Sequence, residues 1–185
     1  MIMHIRTIAL LAVTNFAVPV FAQQFGGAEN LAPNIPTPQI LVDSMLTVAG
    51  VRSSDVVYDL GSGDGRIVIT AAQRFGAHAV GIELVPKLCI EARKRVKDLG
   101  LEDHVQIVQG NALHTDLSSA TVVTMYLLTS SNERLKPNLE KDLKPGTRVV
   151  SNDYPIHGWK ESRLVVVKTG SAEHRIYLYR IGETR

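Results

Sequence analysis

Disulfides, a zinc framework and a strongly charged face are all missing from this sequence, and each absence narrows what the chain can be. A single cysteine, Cys89, in 185 residues excludes an intramolecular disulfide. The six histidines (His4, His78, His104, His114, His157 and His174) are scattered without ligand spacing, so no metal site is expected. Lys and Arg number 20 against 18 for Asp and Glu, with no long basic run, which gives no support to a strongly electrostatic nucleic-acid binder. No internal repeat is visible. What is present suits one domain with a sizeable core: 45% of the residues are hydrophobic.

One apolar run stands apart. Arg6 precedes Ile8 to Phe21, which closes on Val20-Phe21-Ala22 before the polar Gln23-Gln24. That layout is expected of a signal peptide, residues 1–22, cleaved after Ala22 to give an exported or periplasmic product. The run is short for a membrane span and is interrupted by Thr14, Asn15 and Pro19, so no stable transmembrane helix is expected once it is cut. An uncleaved membrane-associated segment or an organellar address is the alternative. No cysteine lies near the cut to carry a lipid. Residues 23–36, rich in Gly, Asn and Pro, read as an irregular arm lying over a domain at 37–185.

The chemistry concentrates in Val56-Val57-Tyr58-Asp59-Leu60-Gly61-Ser62-Gly63-Asp64-Gly65-Arg66 and in Gly81-Ile82-Glu83 some twenty residues on. Val56 to Tyr58 suits a buried strand, and Arg66 to Phe75 has helical length and stops at Gly76. The glycines thus occupy a strand-to-helix turn, where a missing Cβ permits positive φ and lets a ligand approach the backbone N–H groups. A second strand, Ala79 to Leu84, contains Glu83 near its end, and a carboxylate there can accept both hydroxyls of a ribose. A dinucleotide turn wants G-x-G-x-x-G, yet the third glycine position counted from Gly61 and Gly63 holds Arg66. Pyrophosphate binding is therefore disfavoured. Asp59, joined by Asp64, would repel a dinucleotide and attract a cation.

Further elements follow in alternation. Thr37-Pro38 reads as a helix start, N-cap then N1, for Gln39 to Ala49. A helix opened by Val85-Pro86 is stopped by Gly100; Val105 to Val108 and Thr121 to Leu128 are the third and fourth strands. Asn132 to Leu143 predicts a helix interrupted or restarted at Pro137, and Arg148 to Ser151 a fifth strand. Arg163 to Lys168 and Arg175 to Ile181 flank Gly170-Ser171 as a hairpin. The fold class is α/β: a doubly wound, mostly parallel, seven-stranded Rossmann-like sheet with a C-terminal antiparallel hairpin.

The D-x-G-x-G-x-G of Asp59 to Gly65 resembles motif I of the class I S-adenosylmethionine (SAM)-dependent methyltransferases, and the element order is similar to theirs over roughly residues 37–181. Ile35-Pro36-Thr37-Pro38, DLGSGDGRIVI and Leu143-Lys144-Pro145-Gly146-Thr147-Arg148-Val149-Val150-Ser151 together resemble a narrower group. It comprises the small protein-lysine methyltransferases related to the mitochondrial ATP-synthase c-subunit lysine methyltransferase, with their bacterial relatives. The resemblance implies SAM as cofactor and a protein substrate. It implies that Asp59, Gly61 and Gly63 cradle the aminoacyl part of SAM, that Glu83 holds the ribose, and that Asn111 and Ala112 serve the adenine. Thr37 would close the methionine end, or serve as a plain helix cap; Asn111 has a turn asparagine as its alternative.

The resemblance also implies that Tyr126, with Leu127, falls nearest the methyl group, without the Asn-Pro-Pro-Tyr device of adenine or glutamine amino-methylation. Within Asn152 to Trp159, Asp153 could orient an amine, with Tyr154 or Trp159 lining its passage; a structural role for Asp153 is the alternative, and packing is the plainer role for Trp159. No general base stands out. The connections lack a long lid insertion, which predicts an open site suited to a protein side chain. A methyltransferase for a small molecule or RNA, and a non-catalytic SAM-binding domain, are the alternative functions.

Overall fold

The structure is a computed structural model and describes residues 30–184, so the apolar run at 1–22 and the start of the arm lie outside the described residues. Seven strands form one sheet: β1 (Val56–Leu60), β2 (His78–Glu83), β3 (Val105–Gln109), β4 (Val122–Met125), β5 (Arg148–Asn152), β6 (Arg163–Thr169) and β7 (Ala172–Arg180). Their order is β3-β2-β1-β4-β5-β7-β6. All neighbours from β3 to β5 run parallel, whereas β7 is antiparallel to both β5 and β6. One strand is therefore reversed, as the turn at Gly170-Ser171 predicts.

Four helices cover the sheet: α1 (Gln39–Ala49), α2 (Arg66–Phe75), α3 (Pro86–Asp98) and α4 (Thr129–Asp142). Leu41, Val42, Met45, Leu46 and Ala49 recur at helical spacing, so α1 buries one stripe. Its neighbour α2 buries every residue from Ile67 to Ala72, because it packs both on α1 and on the β1–β2 part of the sheet. With α3 these helices close one apolar core; α4, Leu31, Leu117 and Trp159 close the other on the opposite face. All four residues of β4 are buried, which fits a strand covered on both faces.

Three expectations need correction. The helix start belongs to Pro38, not Thr37: the Pro38 carbonyl accepts from the N–H groups of Leu41 and Val42 at 2.9 and 3.1 Å, and no side chain caps α1. The Thr37 carbonyl is instead held by Arg66 Nη1 at 2.7 Å, which draws that backbone toward the glycine turn. The fourth strand ends at Met125 rather than Leu128, since Tyr126 and Leu127 turn out of the ladder to line a cavity. And α4 runs unbroken from Thr129 through Pro137, which is exposed, while Leu135 and Leu139 on either side of it are buried. Packing of that apolar face offsets the hydrogen bond that proline removes.

β1 pairs with β2 on one side and with β4 on the other, so the chain reverses its winding there. The carboxyl ends of these strands form the crevice in which open α/β sheets bind ligands.

Candidate active site

A cavity of about 300 Å³ fills that crevice. Asp59, Gly61, Ser62 and Gly63 form its floor, Ile82 to Val85 and Gly110 to Ala112 one wall, Tyr126 and Leu127 another, and Asn30 to Thr37 of the arm its cover. Every residue expected to bind cofactor therefore lines one cavity; Tyr126 joins them, and Asp153 lies beside Tyr126.

The glycine turn is shaped by backbone. Gly61, Gly63 and Gly65 have φ of 81, 53 and 77°, values that L side chains rarely adopt. The N–H groups of Gly61 and Ser62 both donate to the Ile82 carbonyl, at 2.9 and 3.0 Å, which locks the turn over the end of β2. Gly81 permits this closeness: a Cβ there would lie 2.6 Å from Ser62 Oγ.

Two buried carboxylates flank the turn. Glu83 accepts from Gly63 N–H through Oε2 and from Val85 N–H through Oε1, each at 2.8 Å. A carboxylate has about four lone-pair sites, so two remain for a diol. Asp59 is 3% exposed and is pushed up to about 7 by burial, with the charges of Glu83 and Asp64 adding to the effect, against a 2.7 Å hydrogen bond from Thr124. Asp64 does not join them as a free charge. Arg66 holds it through Nε and Nη2 at 2.8 and 2.7 Å, and Arg95 adds a contact at 3.2 Å. Burial alone would raise its pKa, but Arg66 and Arg95 hold it below the usual carboxylate range. Arg66 thereby connects the turn to the Thr37 carbonyl, and so to the arm.

Asn111 is extended rather than left-handed, with φ −90° and ψ 119°, and its Oδ1 caps a 3₁₀ turn at Ala112–His114 by accepting from Leu113 N–H at 2.9 Å. Its Nδ2 is buried without a partner, as is Ser62 Oγ. A buried polar group left unpaired costs about 1–3 kcal/mol, so both positions are suited to a ligand that completes them. An adenosine with a charged aminoacyl tail fits this set: an unpaired amide donor, a carboxylate with spare lone pairs, and a buried acid within 300 Å³.

Beyond Tyr126 the character changes. The neighbouring Asn152–Trp159 segment brings Asp153 near the Tyr126 hydroxyl, whose pKa is pushed up to about 12 by burial first and then by that carboxylate. The rings of Tyr126 and Tyr154 lie 6.2 Å apart. Asn132 Oδ1 and Asn152 Oδ1 are buried here without donors. Asp153 has φ 60°, the one non-glycine residue with positive φ among the described residues. Its Oδ2 meets His174 Nδ1 at 2.7 Å, its Oδ1 accepts from Arg175 N–H at 2.9 Å, and its own N–H donates to the Arg175 carbonyl at 2.7 Å. His174, Asn132 and Asn152 were not singled out by the sequence. Trp159 is packed, donating to Glu140 Oε1 at 2.9 Å and meeting Tyr179 edge-on, so it lines no passage. Among the described residues no cluster of His, Cys, Asp and Glu could hold a metal ion, and no helix is long and apolar enough to cross a membrane.

Comparison with known proteins agrees with this geometry. Residues 59–163 match the ANTKMT methyltransferase domain family. A protein-lysine N-methyltransferase of Saccharolobus islandicus (strain REY15A) is 50% identical over 82% of this chain and 94% of its own length. The ATP-synthase c-subunit lysine N-methyltransferase of Xenopus laevis is 28% identical over 83% of this chain, which spans only 65% of that relative. Among solved structures, an RNA methyltransferase from Salinibacter ruber in complex with S-adenosyl-L-homocysteine is 48% identical, with a TM-score of 0.74 over 80% of this chain and 94% of that one. With a switch-point cavity fitted to an adenosine bearing a cationic tail, and with these matches, the chain belongs to the ANTKMT methyltransferase domain family and is a SAM-dependent methyltransferase.

Proposed function

We propose that the methyl acceptor is the side-chain amine of a protein lysine. The observation that carries this reading is the chemistry at the ends of β4 and β5: the Asp153 carboxylate lies beside the Tyr126 hydroxyl, the Tyr126 and Tyr154 rings stand 6.2 Å apart, and no donor among the described residues reaches Asn152 Oδ1 or Asn132 Oδ1 next to that segment. Acceptors and ring faces attract a cation rich in N–H donors. A phosphate backbone would call for the opposite charge. The names of the relatives from Saccharolobus islandicus and Xenopus laevis support the same acceptor.

Within this reading the cofactor supplies an electrophilic methyl group, and the chain supplies place. Asp59, Gly61, Gly63 and Thr37 would hold its aminoacyl end, Glu83 the ribose diol, and the Asn111 amide with the Ala112 backbone the adenine. Tyr126 and Asp153 receive the lysine. A free lysine amine has a pKa of about 10.4, so one proton must leave to solvent before the nitrogen lone pair can attack. The bound cofactor would give its methyl carbon to that nitrogen and keep the bonding pair on its own sulfur. Holding the nitrogen in line can supply about 7 to 11 kcal/mol of the barrier.

Incubation of the full chain with methyl-labelled SAM and the protein and RNA fractions of its native host tests the acceptor. Label that survives ribonuclease and is recovered as methyl-lysine is the expected result; label in the RNA would replace this reading with an RNA methyltransferase. We infer also that residues 1–22 act as an export signal. N-terminal sequencing of the protein from its host is expected to begin at Gln23, and an intact N-terminus would remove that inference.

A further inference from the structure

Resting on the lysine reading above, the geometry points to His174 as a positioning residue for the methyl acceptor. It lies on β7, 21 residues from Asp153, and the hairpin brings the two within 2.7 Å. Asp153 is pinned by three donors. His174 and the Asn152 amide occupy Oδ2, at 2.7 and 3.2 Å, and Arg175 N–H occupies one site on Oδ1. Four lone-pair sites less three leave one, on Oδ1. The Tyr126 hydroxyl is the neighbour that the carboxylate perturbs, and Tyr126 lines the cofactor cavity. His174 thus acts through Asp153: it fixes, in a left-handed backbone conformation, the carboxylate that stands beside the Tyr126 hydroxyl.

Three features support a functional role over a merely structural one. Asp153 and His174 side chains retain 23% and 17% exposure, so the pair is reachable and not sealed in a core. Positive φ at a non-glycine residue carries a cost, and such strain concentrates at ligand clamps. The β5–β7 pairing is already complete from Arg148 to Asn152, so the sheet does not need the side-chain contact beyond it.

The test uses the full chain, SAM, and a pool of peptides each carrying one central lysine, with three variants. His174→Phe removes the donor; His174→Asn keeps one at nearly the reach of Nδ1; Asp153→Asn removes the carboxylate charge. His174→Phe is expected to keep the SAM dissociation constant within about twofold, to keep its melting temperature, and to raise the peptide KM by about tenfold or more. His174→Asn should return KM to within about threefold of the parent enzyme. In an Asp153→Asn background, adding His174→Phe should cost nothing more, because the two act as a unit. An unchanged peptide KM in His174→Phe, a loss shared equally by SAM affinity and melting temperature, or additive losses in the double variant would overturn the role. If the unaltered enzyme labels RNA but no peptide in the pool, the lysine reading itself falls and this role falls with it.

Discussion

Asp59 destabilises the ligand-free protein in a way that a cationic ligand can offset. Its folded pKa is about 7 because it is buried, against 3.8 for the free carboxyl. The folded protein therefore holds this proton more tightly than the unfolded chain does, and stability from this group falls as pH rises between about 4 and 7. A shift of that size corresponds to as much as about 4 kcal/mol at pH 8. Asp59→Asn, which can still accept from Thr124, is expected to raise the melting temperature of the ligand-free protein at pH 8 while weakening SAM binding. The parent protein should bind SAM more tightly as pH rises toward 7, and the variant should lose that dependence; titration calorimetry between pH 5.5 and 8 measures both. Glu83 presents a different balance, since its two oxygens also fasten Gly63 and Val85. Glu83→Ala should reduce SAM affinity by about 100-fold or more, read in the same titration, with some loss of stability.

The contact between β2 and the glycine turn is a backbone-level fit. Gly81→Ala would drive a methyl group to 2.6 Å from Ser62 Oγ and 2.8 Å from Ser62 Cβ. It is expected to cost about 1–3 kcal/mol of stability and to weaken SAM binding. Adding Ser62→Gly removes both clashing atoms and should recover stability, measured by denaturant unfolding. At this scale the sequence was informative wherever pattern and punctuation coincide. β1, α2 and β2 were legible because β-branched runs and an apolar helical stripe are bounded by Gly61, Gly65 and Gly76. Boundaries failed where composition and position diverge. Tyr126-Leu127-Leu128 has the composition of a strand, but its residues leave the sheet for the cavity and the second core. Pro137 signals a break, yet burial of Leu135 and Leu139 overrides it.

Across the whole molecule the two ends of the sheet have separate duties. At the end away from the cavity, Arg148 pairs with Asp55 and donates to the Ala49 and Gly50 carbonyls at 2.9 Å, joining α1, β1 and β5. Burial would raise the Asp55 pKa, but hydrogen bonds from Thr121, the Arg52 N–H and Arg148 outweigh it and leave the pKa lowered. This contribution is thus present at neutral pH and lost as pH falls below the usual carboxylate range. Arg148→Met removes the only cation paired with the buried acid among the described residues and is expected to cost about 3 kcal/mol in denaturant unfolding. SAM affinity at the far end should be unchanged. The cavity lining was legible because much of it clusters in sequence around Asp59 to Gly65 and Glu83. Asp153 was legible too, but its partners were not. His174 reaches Asp153 only through the register of β5 and β7, and Asn132 arrives from the first turn of α4, so no local spacing announces them.

Trp159 closes the segment that carries Asp153, and it is the chain's single tryptophan. Its indole is 8% exposed, fastened to Glu140 and set edge-on to Tyr179 at 5.6 Å. Ultraviolet emission excited at the red edge therefore comes from one place, in the second core and outside the cavity lining. The protein thus carries one intrinsic emitter at the end of its Asn152–Trp159 segment, so a change in that emission on adding a ligand reports a rearrangement of this segment without any attached dye.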